Sequence, residues 1–323
     1  NLSQFPLSFS QERLWFISRL MPNNSAYNMP MIANLEGFLD IKAFNQAFNR
    51  LLQRHSVLRT KFIEHDGKVF QTIIPFQTIK IEINEIPEEL QQTFIDEIAS
   101  KPFDLSSDLP YRIKLLKLSD TETIFLLTLH HIISDGWSND ILMGEFAQLY
   151  AGLTQEQTVD LPELPIQYFD YAAWQRRNLS DFVLKPSVEF WADYLQDVPI
   201  LSLTTDYQRP EFQSENGETI SFSIDAQLTK KLEGFSQKNG CSLFMVLLAA
   251  FHCLLSKYSG QRDFCIGTPI AGRSLQEIED IVGFFVNTLA MRNQINENTT
   301  FETFLQKVRE NTLAAYERQE VPF

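Results

Sequence analysis

The run Ile124-Phe-Leu-Leu-Thr-Leu-His-His-Ile-Ile-Ser-Asp-Gly-Trp-Ser138 limits the fold of this chain more than any other feature. Its first half is apolar enough to sit in the middle of a sheet. It ends in two histidines, and Asp135-Gly136 follows at once, where a turn and a new helix should begin. Burying ionisable groups is costly, so a hydrophobic strand rarely ends in His130-His131 for packing alone. The stretch predicts an α/β protein with a titratable base at a strand end and a helix N-terminus close behind. That equipment suits the movement of an acyl group.

The same alternation runs through the chain. Strands are expected over 31–36, 58–64, 68–75, 111–117, 122–131, 217–224, 263–270 and 284–292. Helices are expected over 41–55, 88–100, 137–151, 168–177, 180–196, 226–239, 242–258 and 301–318. Helix 41–55 carries Phe44, Phe48, Leu51 and Leu52 on one face. The proline-marked stretch Asp160-Leu-Pro-Glu-Leu-Pro165 is the best linker candidate. No sequence repeat is visible, but the shared texture of the halves suggests two similar lobes. The division read from these signals is a first lobe over 1–165, a connection over 166–179 and a second lobe over 180–323.

Composition narrows the function. A formal charge of −14 argues against nucleic acid as the main partner. The longest apolar stretch, 243–255, is too short to span a bilayer, and no membrane association is expected. Cys241, Cys253 and Cys265 form neither a metal-ligand pattern nor a disulfide framework, which fits a reducing, cytoplasmic setting and no bound metal. Each reads as a small buried apolar residue. The first residues lack a signal-peptide pattern, and a start at Asn1 reads as a piece cut from something longer.

His131 is the main catalytic candidate, because an imidazole takes or donates a proton near neutral pH. Adjacent strand residues point to opposite faces, so His130 is assigned to packing and orientation. Asp135 admits three roles: cap of the following helix, partner of an arginine that pins the loop, or catalytic carboxylate, the last least favoured. Gly136 is expected to permit a tight turn, and its amide can stabilise an oxyanion at the helix N-terminus. Ser138 adds a hydroxyl toward a substrate or is an ordinary first-turn serine.

At this point the chain resembles a condensation domain of a nonribosomal peptide synthetase, through an ordered series of motifs. Leu7-Ser-Phe-Ser-Gln-Glu-Arg-Leu-Trp15 resembles the first signature of that family, and Arg54-His-Ser-Val-Leu-Arg-Thr-Lys-Phe62 the second. His130 to Gly136 is the third; Tyr168-Phe-Asp-Tyr-Ala-Ala-Trp174 resembles the fourth. Val282-Gly-Phe-Phe-Val-Asn-Thr-Leu289 resembles the fifth, and Arg318-Gln-Glu-Val-Pro-Phe323 opens the sixth. His-His-x-x-x-Asp-Gly alone is only moderately specific; six matches in order are highly specific.

The resemblance implies two lobes similar to chloramphenicol acetyltransferase, with an active-site tunnel between them. It implies donor and acceptor carrier domains that present thioesters on phosphopantetheine arms, a neighbouring adenylation domain, and no cofactor bound by the domain itself. By the same resemblance His131 takes or positions the amine proton and Gly136 lends an amide near the oxyanion. Asp135 is then structural through an ion pair, with Arg273 the first choice of partner and Arg59 the second. Asn287 and Thr288 line the tunnel or satisfy backbone groups in a strand. Tyr168, Asp170 and Trp174 pack between lobes, and Ser10, Gln11 and Arg13 hold the N-terminal segment. Because the chain stops inside the sixth signature, the second lobe is expected to be incomplete. The apolar residues Phe244, Leu247, Leu248, Phe251 and Leu255 would then be short of cover. The stretches 133–138 and 11–15 resemble the subtype that accepts an L-configured donor. A coenzyme A-dependent acyltransferase and a non-catalytic carrier-docking scaffold are the competing readings.

Overall fold

Most helices and strands of the first half follow from local sequence signals and the burial they allow; the strands Gln4–Pro6 and Ile83–Glu85 and the helix Phe9–Leu20 are additions to those expected. The computed structural model describes residues 4–211 and 217–322; Phe323 of the sixth signature lies outside them. In order they are β1 (Gln4–Pro6), α1 (Phe9–Leu20), β2 (Asn28–Glu36), α2 (Ile41–Arg54), β3 (Thr60–His65), β4 (Lys68–Ile73), β5 (Ile83–Glu85), α3 (Glu88–Ser100), β6 (Tyr111–Lys117), β7 (Glu122–His130), α4 (Gly136–Thr154) and α5 (Tyr168–Asn178). After them come α6 (Asp181–Tyr194), α7 (Ala226–Lys238), α8 (Leu243–Ser259), β8 (Asp263–Ile270), β9 (Asn287–Gln294) and α9 (Phe301–Tyr316).

The chain divides into two units. The first holds the residues up to Ser180 together with Ala271–Val286; the second holds Asp181–Ile270 and the residues from Asn287 onward. This differs from the division at 165 and 179 in two ways. Helix α5 is part of the first unit rather than a connection, because its polar face is tied to the N-terminal segment. Arg176 donates to the Leu7 carbonyl at 2.7 Å, and Gln175 accepts from the Phe9 amide at 3.0 Å. Residues 271–286 also belong to the first unit, although β8 and β9 on either side of them belong to the second.

The central sheet of the first unit has the order β2-β7-β6-β5. Strand β7 runs antiparallel to both neighbours, with Asn28 opposite His130 and Tyr111 opposite Leu129; only β5 and β6 are parallel. Its placement between two partners is what its unbroken apolar sequence demands. Phe125, Leu127 and Leu129 join a core with Phe44, Phe48, Leu51 and Leu52 of α2 and Leu142, Phe146 and Leu149 of α4. Leu126 turns to the other side and packs with Leu116 and Ile95. Two-residue alternation along β7 thus assigns its side chains to two different clusters. The α2 face read from sequence is buried throughout, at 1 to 3% exposure. Each of those side chains contributes about 1.5–3 kcal/mol by leaving water. A second sheet, β1-β4-β3, is antiparallel, and Gly67 supplies the left-handed φ of 71° at the β3–β4 turn.

In the second unit β8 and β9 pair antiparallel. One face of α8 (Met245, Val246, Leu248, Ala249) packs with Leu289 and Met291 of β9 and with Phe304, Leu305 and Val308 of α9. The opposite face leaves Phe244, Leu247, Phe251, Leu254 and Tyr258 between 37 and 74% exposed, a stripe at helical spacing. The strand expected over 217–224 is not formed. Ile220 and Phe222 are each 87% exposed, and among the described residues no strand lies alongside to accept backbone hydrogen bonds. Alternation without a partner strand leaves those backbone groups to water. The three cysteines are free and half-buried rather than fully buried. Burial pushes the Cys265 thiol up to about 11 and raises Cys253, so both stay protonated at neutral pH. Among the described residues no single helix is long and apolar enough to cross a membrane.

Two buried histidines make stability depend on pH. Burial, with the charges of His131 and Arg112 behind it, pushes His130 down to about 3; burial pushes His252 down to about 4. His252 is bonded to the Asn293 amide at 3.0 Å, which in turn contacts Asn311. The unfolded chain binds protons at both sites near pH 6.5, the folded chain does not, so acid favours unfolding. Stability is full above about pH 6.5 and is lost as pH falls toward the folded values. At pH 5 each site is expected to cost about 2 kcal/mol. Denaturant midpoints at pH 7 and pH 5 check this, and equal midpoints would contradict it.

Candidate active site

The end of β7 sets the site. The His130 amide donates to the Pro110 carbonyl at 2.9 Å, which closes the sheet side, and the His131 amide donates to the Tyr27 carbonyl at 2.8 Å. A single 3-10 turn, His131–Ile133, then redirects the chain into α4. Gln11 holds this turn from α1, its amide donating to the Ile132 carbonyl at 3.2 Å. The Gln11 side chain also completes a capping box with Ser8, so the N-terminal signature fixes both its own helix and the histidine turn.

The two histidines have different surroundings. His130 is buried, accepts the Ile132 amide on Nδ1 at 3.0 Å and meets the Phe103 ring edge-on at 5.8 Å. Its depressed pKa keeps it neutral. His131 is half-buried, and its ring lies 4.7 Å from that of Phe284 at 65°. Its Nδ1 is buried with no hydrogen-bond partner among the described residues.

Asp135 is spoken for. As N-cap of α4 it accepts the Ser138 amide on Oδ1 at 2.8 Å, and Oδ2 accepts the Phe285 amide at 3.1 Å. Arg273 approaches Oδ1 at 3.4 Å, and both side chains are 1% exposed. Burial lowers the Arg273 pKa while Asp135 opposes the shift. The guanidinium also donates to the Ile278 and Ile281 carbonyls at 2.5 and 2.7 Å and lies 4.0 Å over the Phe285 ring. Arg59 does not meet Asp135. It donates to the Leu52 and Ile74 carbonyls, tying α2 to the chain after β4.

Ser138 does not face a substrate. It is fully buried, donates to the Gly283 carbonyl at 2.8 Å, and accepts from the Gly283 amide at 3.0 Å and from Arg273 at 2.8 Å. Its hydroxyl has no capacity left for a ligand. Gly136 is not a tight-turn glycine either, since it does not have a positive φ. A Cβ built on it meets nothing within 4 Å, so the space beside the first residue of α4 is open. Asn287 donates to the Gln319 and Val321 carbonyls at 2.9 and 2.8 Å, and Thr288 pairs with Pro269 in the β8–β9 ladder.

Sequence reading gave no role to Gly272 and Gly283, two residues that seat 271–286. Gly283 faces the ring of Tyr168 so closely that a Cβ would lie 1.8 Å from Cδ2, and a Cβ on Gly272, at φ 65°, would lie 2.0 Å from the Phe285 carbonyl oxygen. Tyr168 is buried inside the first unit rather than packing between lobes. Its hydroxyl donates to the Phe284 carbonyl at 2.6 Å and shares a 2.8 Å hydrogen bond with Ser8. Asp170 caps α5 through the Gln167 amide at 2.9 Å, and Trp174 is 40% exposed.

A half-buried imidazole at a strand end, an open helix N-terminus beside it, and an aspartate committed to loop geometry are thus brought together. A family model described as Condensation domain matches residues 1–323. The chain belongs to the condensation-domain family. This domain is 42% identical over 320 residues to Gramicidin S synthase 2 of Aneurinibacillus migulanus, covering 99% of the chain and 7% of that protein. It is 41% identical over 320 residues to Tyrocidine synthase 3 of Brevibacillus parabrevis, covering 99% of the chain and 5% of that protein. It therefore spans a small fraction of the curated relatives it matches. Its fold matches the X-domain from teicoplanin biosynthesis with a TM-score of 0.89 at 26% identity, over 100% of this chain and 73% of that one. The first condensation domain of the CDA synthetase superposes with a TM-score of 0.82 at 17% identity over 99% of this chain and 77% of that one, a likeness of fold alone. The mixed α/β architecture expected from the motifs is that of these structures.

Proposed function

We propose that this condensation domain forms an amide bond between a donor aminoacyl or peptidyl thioester and the amine of an acceptor aminoacyl thioester. Both substrates arrive on phosphopantetheine arms of carrier domains in a multidomain synthetase that also holds an adenylation domain. The acceptor nitrogen attacks the thioester carbonyl; a C–N bond forms, the C–S bond breaks, and the donor arm leaves as its thiol. His131 takes or orients the amine proton. The Gly136 amide, at the positive end of α4, is the donor we assign to the carbonyl oxygen as it gains charge, and the space beside the Gly136 Cα is open. Asp135 and Arg273 act by holding the loop, and His130 acts by packing.

The observation that carries this reading is His131, half-buried at the end of β7 with a ring nitrogen that has no partner among the described residues, one turn before the exposed Gly136 that opens α4. The resemblance in 11–15 and 133–138 adds an L-configured donor, and the three free cysteines suit a reducing cytoplasm. The test supplies the domain, in its complete chain, with loaded neighbouring carriers and identifies the product by mass. A dipeptidyl thioester on the acceptor carrier is expected. Turnover of a free coenzyme A thioester without any carrier would instead assign a stand-alone acyltransferase.

A further inference from the structure

A histidine that handles a proton needs a fixed ring orientation, and a carboxylate or carbonyl on the second nitrogen commonly supplies it. Among the described residues no carboxylate or carbonyl meets the buried nitrogen of His131. Its Nδ1 is buried without a partner among the described residues, and both oxygens of Asp135 are engaged elsewhere. The ring that does meet it is Phe284, at 4.7 Å and 65°, the edge-to-face arrangement that aromatic pairs favour.

Phe284 is itself held on every side. It is 4% exposed, and its carbonyl accepts the Tyr168 hydroxyl at 2.6 Å. The preceding residue exchanges two hydrogen bonds with Ser138, and the following amide donates to Asp135. Three consecutive residues are thus pinned to α4, its cap and α5. We propose that Phe284 is the positioning residue of His131, an aromatic contact standing where a triad has a hydrogen-bonded carboxylate. Asp135 then reaches the imidazole only indirectly, through the Phe285 amide and the backbone of Phe284. This rests on His131 being the proton-handling group.

The test compares Phe284→Leu, which keeps an apolar side chain without a ring, with Phe284→Tyr, which keeps the ring. Phe284→Leu is expected to lower kcat for dipeptide formation about tenfold with KM for the acceptor unchanged; Phe284→Tyr restores it. In a His131→Ala background, Phe284→Leu should cost nothing further. An equal loss in both backgrounds would overturn positioning and leave a structural role. A readout independent of activity is the NMR spectrum of histidine-labelled protein. The wild type should show a cross-relaxation peak between the ring protons of His131 and Phe284, and its absence would overturn the proposal even if no variant folds. A present peak with unchanged kinetics in Phe284→Leu would also overturn it. If His131→Ala is fully active, the catalytic reading fails instead, and the peak alone decides the contact.

Discussion

His131→Ala is expected to lower dipeptide formation by about a hundred- to ten-thousand-fold, the range usual for lost general acid–base help, while the fold survives. The two halves of that expectation have separate grounds. The imidazole stands at the end of β7, one 3-10 turn before α4 begins at the exposed Gly136. Among the described residues its Nδ1 has no hydrogen-bond partner, so truncation strands no buried partner of that nitrogen. The folded state loses the edge contact with Phe284. Single-turnover formation of the dipeptidyl thioester, with a thermal melt beside it, measures both. If orienting the amine matters more than taking its proton, the loss is smaller and nearly independent of pH. Wild-type rates in the alanine variant would remove His131 from the mechanism.

The local half of this architecture was legible because period and burial agree. Phe44, Phe48, Leu51 and Leu52 repeat at helical spacing and do lie in the core, and the apolar run before His130 does occupy the middle of the sheet. Helix α1 was missed because its apolar residues do not keep to one face: Leu14 is buried and Trp15 and Ile17 pack against the core beside the polar Gln11, while Phe16 and Leu20 are exposed. The expected strand over 217–224 shows the opposite error, a good pattern with no neighbour to pair with. At the site, the Asp135–Arg273 approach follows the motif resemblance. The seating of 283–285 does not, because it depends on contacts between residues 116 to 150 positions apart. Ser138 has the residue type of a ligand group, and only its three hydrogen bonds show that it is a fastener for Gly283 and Arg273. Gly136 invites a turn argument by composition, whereas its φ is not positive and the space beside it is open.

Asp135→Asn is expected to destabilise the first unit by about 3–5 kcal/mol, with activity falling as a consequence. The substitution keeps size and one acceptor oxygen, which makes it a sharp test of what the second oxygen and the charge do. In the wild type each carboxylate oxygen takes one backbone amide, Ser138 on one side and Phe285 on the other. An asparagine can serve only one of them. Its own amide must then face the other N–H, donor against donor, and that buried N–H goes unpaired at about 1–3 kcal/mol. Arg273 stays 1% exposed with its counter-charge gone, the costly way to break a buried pair. These contributions overlap and do not simply add. The damage should be local first: amide hydrogen exchange should quicken at Ser138 and Phe285 before it does in the core of α2 and β7. Denaturant midpoints give the magnitude. A midpoint equal to wild type, with protection intact at Ser138 and Phe285 and activity nonetheless lost, would show that the carboxylate takes part in the chemistry itself.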